Sequence, residues 1–209
     1  MMGHANMAAA AVRYLRRPGR PPPAGKRFPR PESRCVGSDE RAPVGPSAFR
    51  EVLGNFATGV TVVTAPAPAD GSAPPAGFAC QSFAALSLEP PLVTFLVGRS
   101  SATWPRIART GSFCVNILSE RQGDLCRSFA VSGAAGGDKF AGVAHDRSPA
   151  TGAPRLAGAV AWVDCAVHAV HPGGDHLIVV GRVLALGRDD VAPPPLVFHR
   201  GRLTSLCPE

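Results

Sequence analysis

The chain has 209 residues, of which 45% are hydrophobic, so it is long enough for one domain with a substantial core. Its formal charge of +7 is concentrated in residues 1–46, which hold nine Lys and Arg against three Asp and Glu, whereas residues 47–209 hold thirteen against twelve. The nearly neutral body argues against a nucleic-acid surface, and the lack of a long apolar run argues against a membrane span or a secretory signal.

Residues 1–46 are rich in Arg, Pro and Ala and carry almost no apolar periodicity. This composition predicts a disordered basic extension in front of a single domain at 47–209. An arginine-rich start is also typical of an organelle transit peptide, but we interpret the segment as an extension without a role in the fold. The six cysteines, at positions 35, 80, 114, 126, 165 and 207, form no C-x-x-C pair. They predict reduced, mostly buried thiols and a cytoplasmic protein.

The first predicted element is a short amphipathic helix with Ser47 as its N-cap. Its apolar face is formed by Phe49, Val52, Leu53 and Phe56. The β-branched stretch "GVTVVTA" then predicts a strand, and a Pro/Ala/Gly-rich loop follows it. Two further strands are predicted at "GFACQSFAALSL" and "PLVTFLVG".

Two more helices are predicted in the second half of the chain. "SSATWPRIARTG" has Thr103 placed to cap a helix and Gly111 to end it, and Ser119 and Gln122 stand at capping-box spacing. Strands are predicted at "FCVNIL", "AVAWVDCAVHAV", "HLIVVGRVLAL" and "PLVFHRGRLTSL". Seven or eight strands with three short helices favour an antiparallel β-barrel with helices packed outside over a parallel Rossmann sheet.

Cationic and hydroxyl side chains crowd the start of the second predicted helix. They are Arg99, Ser100, Ser101 and Thr103. Unpaired backbone N–H groups and the helix dipole favour an anion such as phosphate at this position. Ordinary helix capping explains the same residues, and no P-loop or G-x-G-x-x-G motif precedes them.

Three histidines invite a metal hypothesis, which the spacing disfavours. His168 and His171 are three apart on a predicted strand and so point to opposite faces, and no cysteine lies at zinc-finger spacing. His176 differs because the turn of "GGD" before it can hold its ring at a strand end. No G-x-S-x-G elbow or Cys–His motif indicates a hydrolase, and Cys80 is expected to be a small buried residue.

Taken in order, "FREVLGNFATGVTVVTA", "GFACQSFAALSLEPPLVTFLVGRSSATWP", "FCVNIL", "DKFAG", "GDHLIVVGRV" and "PLVFHRGRL" resemble the flavin reductase-like family over about residues 47–203. The resemblance implies a mainly β, antiparallel split barrel of Greek-key type with short flanking α-helices, and a homodimer. It also implies an NAD(P)H:flavin oxidoreductase that passes a hydride from NADH or NADPH to FMN, with FAD as the alternative flavin. Reduced flavin would then leave for a flavin-dependent monooxygenase. Because cofactors carry this chemistry, no protein nucleophile or metal is needed.

The resemblance also implies which residues bind the cofactors. Along the flavin ring it places Gly77, Ala79, Cys80, Gln81, Ser82, Phe83, Ala85, Leu86 and Ser87, and at the flavin phosphate Arg99, Ser100, Ser101 and Thr103. Further cofactor neighbours are Asn116, Lys139 and Phe140, of which the last two belong to the family's D-R-F loop, here with lysine in place of arginine. His176 is expected beside the nicotinamide as the catalytic residue.

The chain departs from the family pattern at Ala79 and Gln81, where threonine and asparagine or serine are common. One lost hydroxyl contact weakens FMN binding by about ten- to a hundredfold if its partner stays buried and unpaired. Weak binding suits a reductase that uses flavin as a diffusing substrate. Two alternatives stay open: a flavin-bound oxidoreductase that acts directly on a small organic substrate, and a non-catalytic flavin- or heme-binding protein.

Overall fold

The computed structural model describes residues 44–131, 138–191 and 193–206, and the chain from Pro46 on forms one compact unit. The predicted extension at 1–46 lies outside the described residues except for its last three positions. The described residues form helices α1 (Pro46–Leu53), α2 (Trp104–Thr110) and α3 (Gly123–Ala130), with a 3-10 turn at Glu120–Gln122. None of these helices has the length and apolarity that crossing a membrane requires.

The described strands are all paired antiparallel. They are β1 (Thr58–Gly59), β2 (Thr61–Ala65), β3 (Ala76–Cys80), β4 (Ala84–Leu88), β5 (Pro91–Gly98), β6 (Ser112–Ile117), β7 (His145–Arg147), β8 (Pro154–Leu156), β9 (Ala161–Gly173), β10 (His176–Arg188), β11 (Leu196–His199) and β12 (Arg202–Ser205). Seven of them form one sheet in the order β3-β2-β6-β9-β10-β5-β4, while β1-β11-β12 and β7-β8 form two small sheets. The mainly β, antiparallel architecture with three short helices is confirmed.

The seven-stranded sheet curves round so that its two edges meet. Its edge strands β3 and β4 are consecutive in the chain and are separated by three residues, Gln81–Phe83. Within this link, Ser82 Oγ accepts a hydrogen bond from Leu96 N at 2.9 Å and donates one to Leu96 O at 3.1 Å. One side chain therefore joins the edge link to β5, and the barrel is closed there by side-chain rather than main-chain bonding.

Two apolar clusters hold the fold together. The first fills the barrel, where Phe95 packs edge-on against Phe113 and Trp104 with ring centroids 5.2 and 6.2 Å apart. The second lies between the sheet and α3 and contains Phe129 and Phe140, whose centroids are 5.1 Å apart. Helix α3 is thus packed on the barrel through its buried residues Cys126 and Phe129, as expected for an amphipathic helix.

Several predicted boundaries are wrong. The stretch "GFACQSFAALSL" is two strands because its middle turns from one sheet edge to the other, and "PLVFHRGRLTSL" is the β11–β12 hairpin, in which Arg200 and Gly201 have φ values of 48° and 76°. The short exposed pair β7–β8 was not predicted. Ser47 is not the N-cap, because α1 already begins at Pro46.

Candidate functional site

The link between β3 and β4 presents the predicted ring-binding residues at one end of the barrel. Cys80 is buried, and its Sγ lies 3.3 Å from Ser82 Oγ. Burial raises the pKa of the Cys80 thiol, so it is neutral at working pH. Gln81 is exposed, and its Oε1 accepts a hydrogen bond from Thr58 Oγ1 at 3.3 Å. The link is therefore held by its neighbours while its outer side stays accessible.

The remaining ring-binding candidates follow the link directly or precede it on β3. Phe83 is half-buried and packs against the barrel core, and Ala85 and Leu86 on β4 are exposed. Ser87 and Ala79 are half-buried. Phe83 is the last residue of the link, and Ala85, Leu86 and Ser87 follow it on β4.

The predicted phosphate residues lie between the end of β5 and α2. Arg99 donates from its backbone N to Asp175 O at 2.9 Å and from Nη1 to Gly174 O at 3.4 Å, which ties this segment to the β9–β10 turn. Ser101 Oγ accepts a hydrogen bond from Trp104 N at 3.2 Å. The predicted capping by Thr103 is wrong: it occupies the N-cap position without a side-chain capping bond, and Ser101 caps instead.

His176 lies next to this segment. It pairs with Gly98 in the β5–β10 ladder, and a Cβ at position 98 would lie 3.9 Å from Ser100 Oγ and 4.0 Å from His176 Nε2. The His176 ring donates from Nδ1 to Asp175 Oδ1 at 2.8 Å, and its side chain is 48% exposed. This hydrogen bond, together with the ring's charge when protonated, lowers the pKa of Asp175. Because Nδ1 is bonded to Asp175, Nε2 is the ring nitrogen that lies on the side of the Arg99–Thr103 segment.

The Asp138–Phe140 segment is tied to α3. Lys139 Nζ donates to Phe129 O at 3.1 Å and to Val131 O at 2.6 Å, so it caps the C-terminal carbonyls of α3. Partial burial lowers the pKa of Lys139. Phe140 is 5% exposed and packs in the second core cluster. The structure thus gives both residues a packing role, and their contact with the cofactor stays a prediction.

Gly77 and Asn116 are also surrounded by the protein itself. A Cβ at position 77 would lie 2.7 Å from Phe129 Cε1, so glycine is needed for the approach of α3. Asn116 is fully buried; its Nδ2 donates to Val62 O at 3.2 Å and its Oδ1 accepts from Leu156 N at 2.8 Å. Asn116 therefore braces strands β2 and β8, as buried polar groups require.

Beside the link lies a pocket of about 590 Å³, which we call the hairpin pocket, between α3 and the β11–β12 hairpin. Its lining residues are Val60, Ala79, Cys80, Gln81, Cys126, Arg127, Ala130, Phe198, Gly201, Arg202 and Leu203. Sequence reasoning assigned no role to Arg127, Phe198 or Arg202. The sequence gives little indication of this pocket, because "PLVFHRGRLTSL" is predicted as a single strand rather than a hairpin. The described residues include no cluster of three or more His, Cys, Asp or Glu side chains suited to a metal.

Comparison with known proteins shows the family of this chain. A family model for the flavin reductase like domain matches residues 53–206. The chain is 48% identical over 168 residues to the reductase subunit HsaB of a flavin-dependent monooxygenase from Rhodococcus jostii, covering 79% of this chain and 80% of that protein.

Solved structures extend the likeness to three dimensions. Nitrilotriacetate monooxygenase component B from Mycobacterium thermoresistibile superposes with a TM-score of 0.70 at 46% identity, covering 77% of this chain and 86% of the other. The NADH:FAD oxidoreductase SgcE6 from Streptomyces globisporus, in complex with NAD and FAD fragments, gives 0.70 at 36% identity, covering 78% and 93%. With its antiparallel split barrel and a matched region of 154 residues, from 53 to 206, this chain belongs to the flavin reductase-like family.

Proposed function

We propose that this protein is an NADH-dependent flavin reductase that reduces free flavin and releases it to a partner monooxygenase. The observation that carries the proposal is the meeting of three predicted groups at one end of the barrel: the Ser82 link, the Arg99–Thr103 segment and His176. The relative named as the reductase subunit of a flavin-dependent monooxygenase supports the same activity.

The residues present fit a flavin. Arg99 and Ser100 are exposed, and within the described part of the chain the Arg99 guanidinium makes one hydrogen bond, at 3.4 Å, so it keeps donors for a phosphate. Beside them, Leu96 is a large exposed apolar side chain next to the link. A segment suited to an anion, near the exposed Leu96 side chain and the accessible Gln81 of the link, matches the phosphate and the ring of a flavin.

In this scheme the protein binds and orients, while the flavin, when bound, supplies the hydride acceptor. The Arg99–Thr103 segment holds the phosphate, and the Gln81–Phe83 link offers backbone groups to the ring. Asp175 fixes the His176 ring through Nδ1, so that Nε2 can contact the nicotinamide carboxamide. Correct placement of donor against acceptor is worth several orders of magnitude in rate.

We further propose FMN as the flavin, with FAD as the alternative, and NADH rather than NADPH as the donor. The name of the NADH:FAD oxidoreductase relative supports NADH as the donor, and it is the reason why FAD is kept as the alternative flavin. Side-by-side kcat/KM values for FMN and FAD, and for the two nicotinamide nucleotides, decide both choices.

We also propose a homodimer located in the cytoplasm. Large apolar side chains stay exposed on α1 and just after it: Phe49 and Val52 of the helix are 57% and 67% exposed, and Phe56 beyond its end is 75% exposed. Leu184 and Leu186 are exposed on β10. Exposed apolar area on this scale is typical of an interaction surface. The free, buried thiols of Cys80, Cys114, Cys126 and Cys165 suit a reducing compartment.

Steady-state oxidation of NADH with added flavin tests the activity. A reductase of this type shows saturable dependence on the concentration of free flavin. Turnover that needs an organic acceptor instead, with flavin retained through gel filtration, would contradict the proposal. So would a complete lack of NADH oxidation in the folded protein.

A further inference from the structure

The backbone around Gln81 is held on both sides, which leaves its side chain as the part that can move. On one side, Thr61 Oγ1 donates a hydrogen bond to Cys80 O at 2.7 Å, and both residues are buried. On the other side, Ser82 Oγ is bonded to Leu96 N and O at 2.9 and 3.1 Å. Gln81 itself is exposed, in the link that we assign to the flavin ring. The orientation of its carboxamide therefore decides what it presents to a ligand.

Thr58 holds this carboxamide from another sheet. It lies on β1 of the sheet β1-β11-β12 and pairs with Phe198 in the β1–β11 ladder. Its side chain is half-buried, and its Oγ1 donates a hydrogen bond to Gln81 Oε1 at 3.3 Å. Because the ladder fixes the Thr58 backbone, the hydroxyl is a partner in a fixed position for a side chain 23 positions further along the chain.

The bond to Thr58 selects one half of the amide for a ligand. A glutamine carboxamide has an oxygen that accepts hydrogen bonds and an NH2 group that donates them. Gln81 Oε1 is engaged by Thr58, whereas Gln81 Nε2 has no hydrogen-bond partner among the described residues. A flavin ring carries carbonyl oxygens as acceptors and an N–H at N3 as a donor, so a freely rotating amide could meet either. With Oε1 engaged, Gln81 offers its donors.

The restraint also lowers the entropy that binding costs. Glutamine is one methylene longer than the asparagine that is common at position 81 in the family pattern, so it has more rotamer freedom to lose. A side chain that is already ordered in the free protein loses less of this freedom when a ligand binds. The Thr58 hydroxyl thus compensates for the longer side chain at this position.

We propose that Thr58 is a positioning residue for the flavin, which orients Gln81 so that Nε2 donates to a carbonyl oxygen of the flavin ring. This inference rests on the proposed function, since that function names flavin as the ligand. Thr58 acts through Gln81 and touches neither the flavin nor the nicotinamide. Because the contact is to the ring and not to the phosphate, it serves FMN and riboflavin equally.

Fluorescence titration of Thr58→Val with both flavins tests the proposal. Valine replaces the hydroxyl by a methyl group of similar size and favours a strand, so FMN and riboflavin should both bind about fivefold more weakly, the effect of one neutral hydrogen bond. Thr58→Ser should recover the wild-type affinity. Thr204→Val is the matched control, since Thr204 is an exposed threonine on β12 of the same small sheet whose Oγ1 bonds to Ser205 O at 3.5 Å.

Three outcomes of this titration overturn the proposal. They are wild-type affinity of Thr58→Val for both flavins, a loss that is confined to FMN, and a Thr58→Ser variant that binds as weakly as Thr58→Val.

Variants of Gln81 test whether Thr58 acts through this side chain and through its donors. Gln81→Met removes the amide at similar length, so Thr58→Val should cause no further loss when it is added to Gln81→Met. Gln81→Glu keeps the acceptor oxygens and removes the donors, so it should bind riboflavin, which has no phosphate to repel, more weakly than the wild type does. Additive losses in the double variant, or wild-type riboflavin affinity in Gln81→Glu, contradict the proposal.

The flavin-free protein gives a readout that needs no ligand. In NMR spectra, the side-chain NH2 signals of Gln81 should shift or broaden in Thr58→Val and stay unchanged in Thr204→Val. Identical Gln81 side-chain signals in the wild type and Thr58→Val would show that the hydroxyl does not orient the amide, and the proposal would be wrong.

The two proposals fail separately. Flavin binding and the NMR signals need no turnover, so a protein that binds flavin with this dependence on Thr58 but does not oxidise NADH contradicts only the proposed function. A protein that reduces flavin and keeps full flavin affinity in Thr58→Val contradicts only the role of Thr58.

Discussion

The hydroxyls of Ser101 and Thr103 differ in what they already bind. Ser101 Oγ accepts the Trp104 N–H, whereas the Thr103 side chain makes no hydrogen bond to another described residue. Thr103→Ala should therefore weaken FMN about tenfold and leave riboflavin unchanged, because only FMN carries the phosphate. Ser101→Ala should act in the same direction but also lose a helix cap. Fluorescence titration of both flavins checks this, and equal losses for the two would place the phosphate elsewhere.

His176 is expected to act on the nicotinamide rather than on the flavin. His176→Ala should lower kcat/KM for NADH by about ten- to a hundredfold, or raise its KM, with the flavin Kd little changed. The His176 ring is held by a 2.8 Å hydrogen bond to Asp175 and is expected to position the nicotinamide. Without the ring, the hydride donor is less well placed against the flavin.

A matched control separates this role from a purely structural one. His171→Ala removes an exposed histidine from β9, the partner strand, and should leave the kinetics unchanged. If His176→Ala lowers thermal stability but keeps a normal kcat/KM per folded molecule, His176 only supports the turn.

At the scale of elements, the contact between β3 and α3 depends on Gly77. A Cβ there would lie 2.7 Å from Phe129 Cε1 and 3.2 Å from Phe140 Cζ, inside a packed cluster. Gly77→Ala should lower the free energy of unfolding by about 1–3 kcal/mol, measured in denaturant. Gly59→Ala, on β1 with no atom within 4 Å of its added Cβ, should have little effect. Partial recovery by Phe129→Leu would identify the clash, and equal stability of the two glycine variants would refute it.

The pairing of β6 with β9 brings two thiols into the core. Burial raises the pKa of Cys114 and of Cys165 from 9.0 to about 12, and the carboxylate of Asp164 adds to the rise. Below pH 9 the thiols are protonated in both the folded and the unfolded state, so they add no pH dependence. As the pH rises from 9.0 to about 12, only the unfolded thiols ionise, and stability is lost by about 1.4 kcal/mol per pH unit per thiol.

Replacing both cysteines by alanine should reduce the alkaline slope, and the Cys80 thiol, whose pKa is also raised by burial, should retain part of it. Free energies of unfolding, measured between about pH 8 and about pH 11, provide the comparison with the wild-type chain. An unchanged slope in the double variant would show that other groups cause the alkaline loss.

Local sequence patterns predicted the helices and most strands, because hydrophobic periodicity and helix capping depend on residues that are neighbours in the sequence. They missed the break at Gln81–Phe83, since this link contains no glycine or proline and both flanks favour strands. That His176 lies near Ser100, on either side of Gly98, could be expected only from the resemblance. The role of Asn116 depends on Val62 O and Leu156 N, which are 54 and 40 positions away in the chain and which no local pattern contains.

For the molecule as a whole, the domain is expected to work without its first 45 residues. The chain from Pro46 on forms one compact unit, and residues 1–46 carry no apolar pattern that would contribute to a core. A protein that starts at Pro46 should keep its melting temperature, its oligomeric state and its kcat/KM for flavin reduction. Aggregation or lost activity of the truncated protein, against the full chain as control, would contradict this.

The central strands of the barrel join segments that are far apart in sequence. Asn116 reaches Val62 O across 54 positions, and Thr64 reaches Pro154 O across 90. Such non-local pairing gives a high contact order, and the entropy of closing these loops slows folding. During synthesis, the apolar strands β2 to β5 leave the ribosome well before β9 and β10 exist to cover them. The nascent chain therefore carries unpaired strand edges until most of the domain is made, and this interval is when it most needs a chaperone.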